Sequence, residues 1–259
     1  YHLFRFSQWM ELASEKESGR RGTQMKPAYI KIAEAMENDL ISRKYACGVQ
    51  LPDEKELMAA FQANRKDVRK AMAVLVNKGL IYPMQPNGYF PRPSAYDNCI
   101  SLESYRGFSR EFPNQKVEGI PLKLEVVKAD EQLAEKFRIE PGEALYYLER
   151  LRKVDDEPYS LEYIWYSKEL MGDLTEEIAK GSIYRYITRD LQLSIGFADR
   201  VLSADRLSSQ EAEILNLKEN DPAFCMQNTV FLSDGNVLEV SNVVHNYKKC
   251  KMTKLAGWN

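Results

Sequence analysis

Apolar residues recur at helical spacing in three short segments of the first third of the chain. The first segment, Pro27–Ser42, places them at intervals of four, three and four, which predicts one buried helix face. A second helix is predicted to begin after Asp53, because Glu56 stands three residues later, the spacing of a capping box. A third is predicted to begin after Asn64 and to end at Gly79.

A short hairpin is predicted directly after the third helix. Its strands are Leu80–Tyr82 and Tyr89–Phe90, and the turn between them is Gln85–Gly88. Only Gln62 and Ala63 separate the second and third helices, so the order is helix, helix–turn–helix and β-wing. In proteins with this order the third helix enters the DNA major groove with its N-terminal residues first.

The pattern changes to long alternating strands beyond residue 120. Short helices are predicted between them, for example Asp130–Phe137 and Ser208–Leu215. Because no strict βαβ repetition is present, the pattern favours an antiparallel α+β domain over a doubly wound sheet. The predicted strands are Leu122–Val127, Ala144–Val154, Pro158–Tyr166, Ile195–Leu207, Phe224–Leu232 and Val237–Asn246.

The charge distribution separates the winged-helix segment from the rest of the chain. The 259 residues carry a formal net charge of −2, but Met25–Arg92 has 11 basic and 7 acidic residues and is +4, which leaves −6 elsewhere. Four of the basic residues fall within Arg65–Lys70. A small basic unit on an acidic body is typical of a nucleic-acid reader, although a solvated helix face gives the same pattern.

The composition argues against several other classes of protein. The four cysteines are scattered without a CxxC pair and there are only two histidines, so neither a zinc module, a disulfide scaffold nor a multi-histidine metal site is expected. No apolar run approaches the ~20 residues of a membrane span. We therefore expect a cytoplasmic protein without metal or cofactor, with residues 1–24 as an N-terminal extension or expression remnant and residues 25–92 as the first domain.

The winged-helix segment resembles the GntR family of repressors. The matching stretches are Lys26–Ile32, Leu51–Leu57, Asn64–Met72 and Asn77–Ile81. The resemblance implies that double-stranded DNA is contacted from the helix–turn–helix and the wing. The residues that occupy the DNA-contacting positions are Lys55, Asn64, Arg65, Lys66, Asp67, Arg69 and Gly88.

Three positions depart from the pattern of that family. Lys55 replaces an arginine, Asp67 replaces a threonine that faces DNA, and Pro86-Asn87-Gly88 replaces a glycine–basic–glycine wing. An acid at position 67 repels phosphate, and Pro86 lacks an N–H. We expect altered sequence preference or weaker affinity rather than loss of the fold.

The remainder of the chain resembles the UTRA effector-binding domain of the HutC-type subfamily, whose fold resembles chorismate lyase. Residues 93–120 are a linker and the start of this domain, and residues 121–259 are its body. The matching stretches are Leu148–Arg152, Leu161–Glu162, Ser182–Tyr184, Leu207–Ala212 and Leu238–Ser241. The resemblance implies an effector site formed by Phe108, Ser109, Arg150, Arg152, Glu162, Ser182, Tyr184, Glu239 and His245.

Two interpretations of the arginine pair remain open at this point. Arg150 and Arg152 are two residues apart on a strand and therefore face one side, where either an anion or Glu162 is needed between them. The alternative to an effector pocket is a structural ion-pair ladder that also includes Glu239. For His245, a partly buried structural role and a ligand contact are both open.

Together the two resemblances imply a ligand-responsive repressor. It is expected to form a homodimer on a palindromic operator and to bind a small anionic effector, a phosphorylated sugar, in its second domain. One alternative is an enzyme related to chorismate lyase, although no catalytic residues stand out. The other is a regulator with degenerate DNA binding that acts through protein contacts, which only Asp67 and Pro86 support.

Overall fold

The computed structural model divides the chain into two compact units. One runs to Val76 and resumes over Leu80–Pro91, and the other is formed by Arg92 onward together with Asn77–Gly79. The segment 1–24 lies outside the described residues. Those described are 27–42, 44–46, 48–84, 86–92, 99–102, 108–112 and 115–254.

From residue 27 onward, the described part of the first unit contains three helices and a two-stranded antiparallel hairpin, in the order that the sequence predicts. Its core joins all three helices to the hairpin through buried apolar side chains, including Met36, Leu57, Val68, Leu75 and Ile81. The helices are α1 Ala28–Ile41, α2 Glu54–Phe61 and α3 Arg65–Asn77, and the strands are β1 Ile81–Pro83 and β2 Tyr89–Pro91.

Local hydrogen bonds fix where the second helix begins and where the third helix ends. The Asp53 N–H donates to Glu56 Oε2 and the Glu56 N–H donates to Asp53 Oδ1, both at 2.8 Å, so the predicted capping box is confirmed. After α3, Gly79 has a φ of +66°, and the Leu80 N–H returns to the Leu75 carbonyl at 3.0 Å. The left-handed backbone conformation of Gly79 ends α3 and directs the chain into the hairpin.

The second unit is built on a six-stranded sheet and a short two-stranded pair. The strands are β3 Ile100–Ser101, β4 Val117–Lys128, β5 Ala144–Val154, β6 Glu157–Ser167, β7 Ile195–Arg206, β8 Pro222–Leu232, β9 Val237–Asn246 and β10 Met252–Thr253. The large sheet has the order β4-β5-β6-β9-β8-β7, and every neighbouring pair is antiparallel. The short pair, β3 and β10, is parallel. The predicted α+β fold class is confirmed.

Helices cover both faces of this sheet. On one face, Leu148, Ile164 and Tyr166 pack against the short helices that follow β6. On the other face, Leu161 and Val244 belong to a core cluster that includes residues of the helix after β7. The helices are α4 Phe108–Glu111, α5 Glu131–Phe137, α6 Lys168–Met171, α7 Glu176–Lys180, α8 Ile183–Arg185 and α9 Ser209–Ile214, with a π-helical segment Tyr186–Asp190.

Candidate functional site

The N-terminal turn of α3 exposes a cluster of basic side chains that is held by one acid of α2. Arg65 Nε lies 2.9 Å from Glu54 Oε2, and Arg69 Nε lies 2.7 Å from Glu54 Oε1. The hydrogen bond from Arg69 holds the pKa of Glu54 below its usual value. Both arginine side chains remain 61% exposed, so N–H groups that do not bind Glu54 are accessible to a polyanion.

Asn64 and Asp67 are bonded to each other at the start of α3. Asn64 Oδ1 accepts the Asp67 N–H at 2.9 Å, and Asn64 Nδ2 donates to Asp67 Oδ2 at 2.7 Å. The Asp67 carboxylate is therefore engaged by the N-cap residue of its own helix. This contact gives Asp67 a role within the helix–turn–helix that the sequence comparison with threonine did not suggest.

The other predicted DNA-contacting residues lie on the surface of the same unit. Lys55 and Lys66 are exposed on α2 and α3. Gly88 has a φ of +86° in the wing turn, where its carbonyl accepts the Met84 N–H at 2.8 Å. A Cβ at Gly88 would lie 3.1 Å from Gln50 Nε2, so the turn favours glycine both for its conformation and for space.

The second unit contains a cavity on the α7–α8 face of its sheet. Alternate residues of four neighbouring strands line it, because side chains two apart on a strand share a face. The paired rows across the sheet are Arg152–Ser160–His245, Arg150–Glu162–Val243–Met226, Ile164–Ser241–Asn228 and Tyr166–Glu239.

Arg150, Arg152 and Glu162 form one end of this cavity, which we call the arginine end. Arg150 Nε donates to Glu162 Oε2 at 2.7 Å, and Arg152 Nε donates to Glu162 Oε1 at 3.2 Å. No side chain of the three is more than 10% exposed. Arg150 Nη1 also donates to the Ala179 carbonyl of α7 at 3.0 Å.

Two arginines share one hydrogen-bonded carboxylate at the arginine end, and the charge of Glu239 also acts on Arg150. Burial raises the pKa of Glu162, but the charges of the two arginines outweigh it, so the pKa lies below its usual value. Burial and the charge of Arg150 lower the pKa of Arg152. The ion-pair ladder therefore exists, and two guanidinium groups still share one carboxylate, which suits an additional anion.

Glu239, Ser241 and Asn228 form the other end of the cavity, which we call the glutamate end. Tyr184 OH donates to Glu239 Oε2 at 2.6 Å, and Ser241 Oγ donates to Glu239 Oε1 at 2.9 Å. Asn228 Nδ2 donates to Ser241 Oγ at 3.0 Å. The carboxylate of Glu239 is thus fixed by donors on both oxygens.

His245 is buried beside the arginine end in the same row as Ser160. Since a carbonyl only accepts, Nδ1 of His245 donates to the Phe224 carbonyl at 3.0 Å. Burial lowers the pKa of His245 to about 4. The ring is therefore neutral near pH 7, and Nε2 has the character of an acceptor.

Residues that follow the linker form another wall of the cavity. Ile100, Phe108 and Glu111 line it, and the Arg152 guanidinium carbon lies 5.4 Å from the centroid of the Phe108 ring. The side chain of Ser109 lies outside the described part of the chain. Ser182 is not among the lining residues; its hydroxyl accepts the Arg185 N–H at 3.4 Å and caps α8.

The structure brings seven of the nine predicted effector residues to one cavity, and it adds several that the sequence analysis did not select. Asn228 was the easiest of these to find, since it is a polar residue on the inward-facing alternation of an apolar strand. Arg200 reaches the cavity from the edge strand β7, and its Nη1 donates to the Ser101 carbonyl at 2.9 Å. The added lining residues with polar side chains are Glu111, Ser160, Tyr166, Arg200, Asn228 and Ser241.

Among the described residues, no three His, Cys, Asp or Glu side chains are grouped in a way that would hold a metal ion. Within those same ranges, no helix combines the length and apolar character of a membrane span.

Sequence comparison matches the two units to two known families. Residues 28–90 match the bacterial regulatory proteins of the gntR family, and residues 114–251 match the UTRA domain. The uncharacterized HTH-type transcriptional regulator YydK of Bacillus subtilis is 30% identical over 229 residues, which are 88% of this chain and 97% of YydK. Its crystal structure, described as a possible transcriptional regulator, superimposes with a TM-score of 0.73 at 28% identity and covers 89% of this chain and 100% of that one.

Two further relatives have more specific names. The HTH-type transcriptional repressor NagR of Bacillus subtilis is 25% identical and aligns with 85% of this chain and 90% of its own length. The mannosyl-D-glycerate transport/metabolism system repressor MngR of Escherichia coli is 24% identical and aligns with 89% of this chain and 96% of its own length.

Proposed function

Since this chain belongs to the GntR family of bacterial regulatory proteins and carries a UTRA domain, we propose that it is a transcriptional repressor controlled by a small anionic effector. Its first unit binds operator DNA, and its second unit binds the effector, a phosphorylated sugar. The observation that carries this proposal is the buried Arg150–Glu162–Arg152 cluster, which lines a polar cavity. This cavity belongs to a chain whose earlier residues form a basic winged helix.

The DNA interface is assigned to α3, the turn before it and the wing. Arg65, Lys66 and Arg69 are exposed in the first turns of α3, where a recognition helix meets base edges. An arginine there either reads guanine O6 and N7 or clamps a phosphate. Lys55, Asn64, Asp67 and Gly88 complete the proposed set.

The effector site is assigned to the cavity of the second unit. A phosphate at the arginine end accepts hydrogen bonds from the two guanidinium groups that share Glu162, and sugar hydroxyls are suited to the carboxylate of Glu239. The name of MngR, which refers to mannosyl-D-glycerate transport and metabolism, supports a carbohydrate effector. Phe108, Ser109, Ser182, Tyr184 and His245 remain part of the proposed site.

We also propose a homodimer in the cytoplasm, with residues 25–92 as the DNA-binding domain, residues 93–120 as a linker and the start of the effector domain, and residues 121–259 as the effector-binding and dimerisation domain. A two-fold protein matches a palindromic operator. Edge strand β7 supports self-association, because Phe197 and Val201 on it are 56% and 59% exposed. Enzymatic activity is not part of the proposal, because the related proteins are named as regulators.

Arg65→Ala and Arg69→Ala are each expected to weaken operator binding by ~1–3 kcal/mol, because each removes a guanidinium from the proposed interface. The operator is first selected by the full chain from a pool of random duplexes. Affinity is then measured by fluorescence anisotropy at several salt concentrations, and the salt dependence is expected to weaken by about one phosphate contact for each arginine that binds the backbone.

Lys123→Ala serves as the control because it removes one positive charge from the second unit, where Lys123 pairs with Glu125. It is expected to bind DNA like the unchanged protein. If both arginine variants retain full affinity, α3 is not the reading element. If the unchanged protein selects no duplex and shows no salt-dependent binding, the regulator acts through protein contacts instead.

A further inference from the structure

A chain of hydrogen bonds fixes the orientation of the Asn228 amide at the glutamate end. The carboxylate of Glu239 only accepts, so the hydroxyl proton of Ser241 is directed at Glu239 Oε1, 2.9 Å away. Ser241 Oγ then has only lone pairs to offer Asn228, which donates to it from Nδ2 at 3.0 Å. A flipped amide would set two acceptors against each other.

This arrangement of hydrogen bonds leaves the side-chain carbonyl oxygen of Asn228 without a donor. Asn228 is 3% exposed, and no described residue donates to its Oδ1. The residue lines the cavity from the third row of the sheet, next to Ser241. Leaving a buried acceptor unpaired is unfavourable, so such an atom in a binding cavity marks a place where a ligand donor fits.

A second unpaired polar atom lines the same cavity nearer the arginine end. Ser160 is fully buried in the row of Arg152 and His245, and its Oγ has no hydrogen-bond partner among the described residues. The cavity thus has one unpaired group near the arginines and one at the glutamate end. Two such groups favour a ligand that is polar at both ends over an anion alone.

We propose that Asn228 Oδ1 accepts a hydrogen bond from the effector, so that the effector carries an O–H or N–H group at the glutamate end besides its anionic group. This inference rests on the proposed function and adds a residue that recognises the sugar part of the effector. Phosphorylated sugars and amino sugars satisfy it through a hydroxyl, ammonium or amide N–H. Inorganic phosphate satisfies only the arginine end, and a deoxy analogue that lacks the donor leaves Asn228 unpaired.

The test uses calorimetric titration of the full chain with glucose 6-phosphate, mannose 6-phosphate, glucosamine 6-phosphate and N-acetylglucosamine 6-phosphate. The tightest of these is then compared with its monodeoxy analogues. The variant Asn228→Leu replaces the amide by an apolar group of the same branching, and Asn228→Ala repeats the test without added bulk. Gln227→Leu makes the same kind of change on the neighbouring, exposed position of β8 and is the matched control.

The expected result is a loss of affinity of about 10- to 100-fold in both Asn228 variants and none in Gln227→Leu. One deoxy analogue should bind the unchanged protein at least tenfold more weakly than its parent sugar phosphate does. The affinity of this analogue should not fall further in Asn228→Leu, because the missing hydroxyl and the missing amide belong to the same hydrogen bond. The melting temperature without ligand should change little, since the unpaired acceptor is removed as well.

Two results overturn the inference in distinguishable ways. If a phosphorylated sugar binds and the Asn228 variants bind it as tightly as the unchanged protein, Asn228 does not contact the effector, while the proposed function stands. If the unchanged protein binds none of the four sugar phosphates, the ligand class is wrong, and the inference fails together with that part of the proposed function.

Discussion

Replacing Glu162 with glutamine is expected to lower the free energy of unfolding of the second unit by about 3–5 kcal/mol. Glu162 is the carboxylate between Arg150 and Arg152, and all three side chains are at most 10% exposed. The substitution keeps the shape of the side chain but leaves two buried guanidinium groups without their counter-charge. The loss of stability is measured by urea denaturation, monitored by circular dichroism and fluorescence.

The matched control is Glu157→Gln, on the same strand. Glu157 pairs with Lys249 at 3.1 Å, but its side chain is 65% exposed, and exposed pairs contribute about 0–1 kcal/mol. Inorganic phosphate is also expected to raise the melting temperature of Glu162→Gln more than that of the unchanged protein, by binding to the unpaired arginines. Equal, small losses in both glutamine variants would show that the cluster is too well hydrated to act as a buried site.

The stability of the second unit is expected to fall by about 3 kcal/mol between pH 6.5 and pH 4 because of His245 alone. Burial lowers the pKa of this histidine from 6.5 to about 4. As the pH falls through 6.5 the unfolded chain binds a proton, while the folded protein does not do so until about pH 4. The contribution is therefore constant above about pH 7 and is lost as the solution becomes more acidic.

The variant His245→Gln isolates this effect because glutamine keeps an N–H donor for the Phe224 carbonyl and does not titrate. The difference between the two proteins is measured by urea denaturation at intervals from pH 7.5 to pH 4. It is expected to shrink with decreasing pH. The charge of Glu162 raises the pKa of His245 and so opposes the effect of burial. Repeating the comparison of His245 with glutamine in the Glu162→Gln background separates the effect of that charge from the effect of burial. A difference that stays constant across the range would contradict a buried neutral histidine.

The architecture of both units follows from patterns that are local in the sequence. Capping boxes at Asp53 and Ser208 mark where helices begin, and the glycine at position 79 marks where α3 ends. The two-residue period of the strands shows which of their side chains share a face. Such signals depend on neighbours a few residues apart, so one sequence is enough to read them.

Strand β4 is longer than the sequence analysis predicted, because it continues through a proline and a register shift. The predicted strand began at Leu122, whereas β4 begins at Val117 and continues through Pro121. The register shifts between Pro121 and Lys123, and β4 is an edge strand. Proline is tolerated at an edge with a bulge, where its missing N–H breaks no ladder bond.

Alternation along β5 predicted that Arg150 and Arg152 share one face, and Glu162 lies beside them because β5 and β6 are joined by a tight turn. The other cavity residues that were predicted, such as Tyr184, Glu239 and His245, came from the resemblance to the UTRA domain. Asn228 and Arg200 belong to β8 and β7, which are attached to the sheet through the long-range pairing of β9 with β6. The pairing of Asp67 with Asn64 was also missed, because an acid near DNA was considered only for its charge.

The central claim, that effector and operator bind one regulator with coupled affinities, is tested most directly by calorimetric titration of the effector with and without saturating operator DNA. The account predicts that DNA changes the effector affinity by a factor of about 5–150, and that the effector changes the DNA affinity by the same factor. Equal effector affinities in the two titrations would contradict it, because a ligand that does not distinguish the DNA-bound form cannot control it.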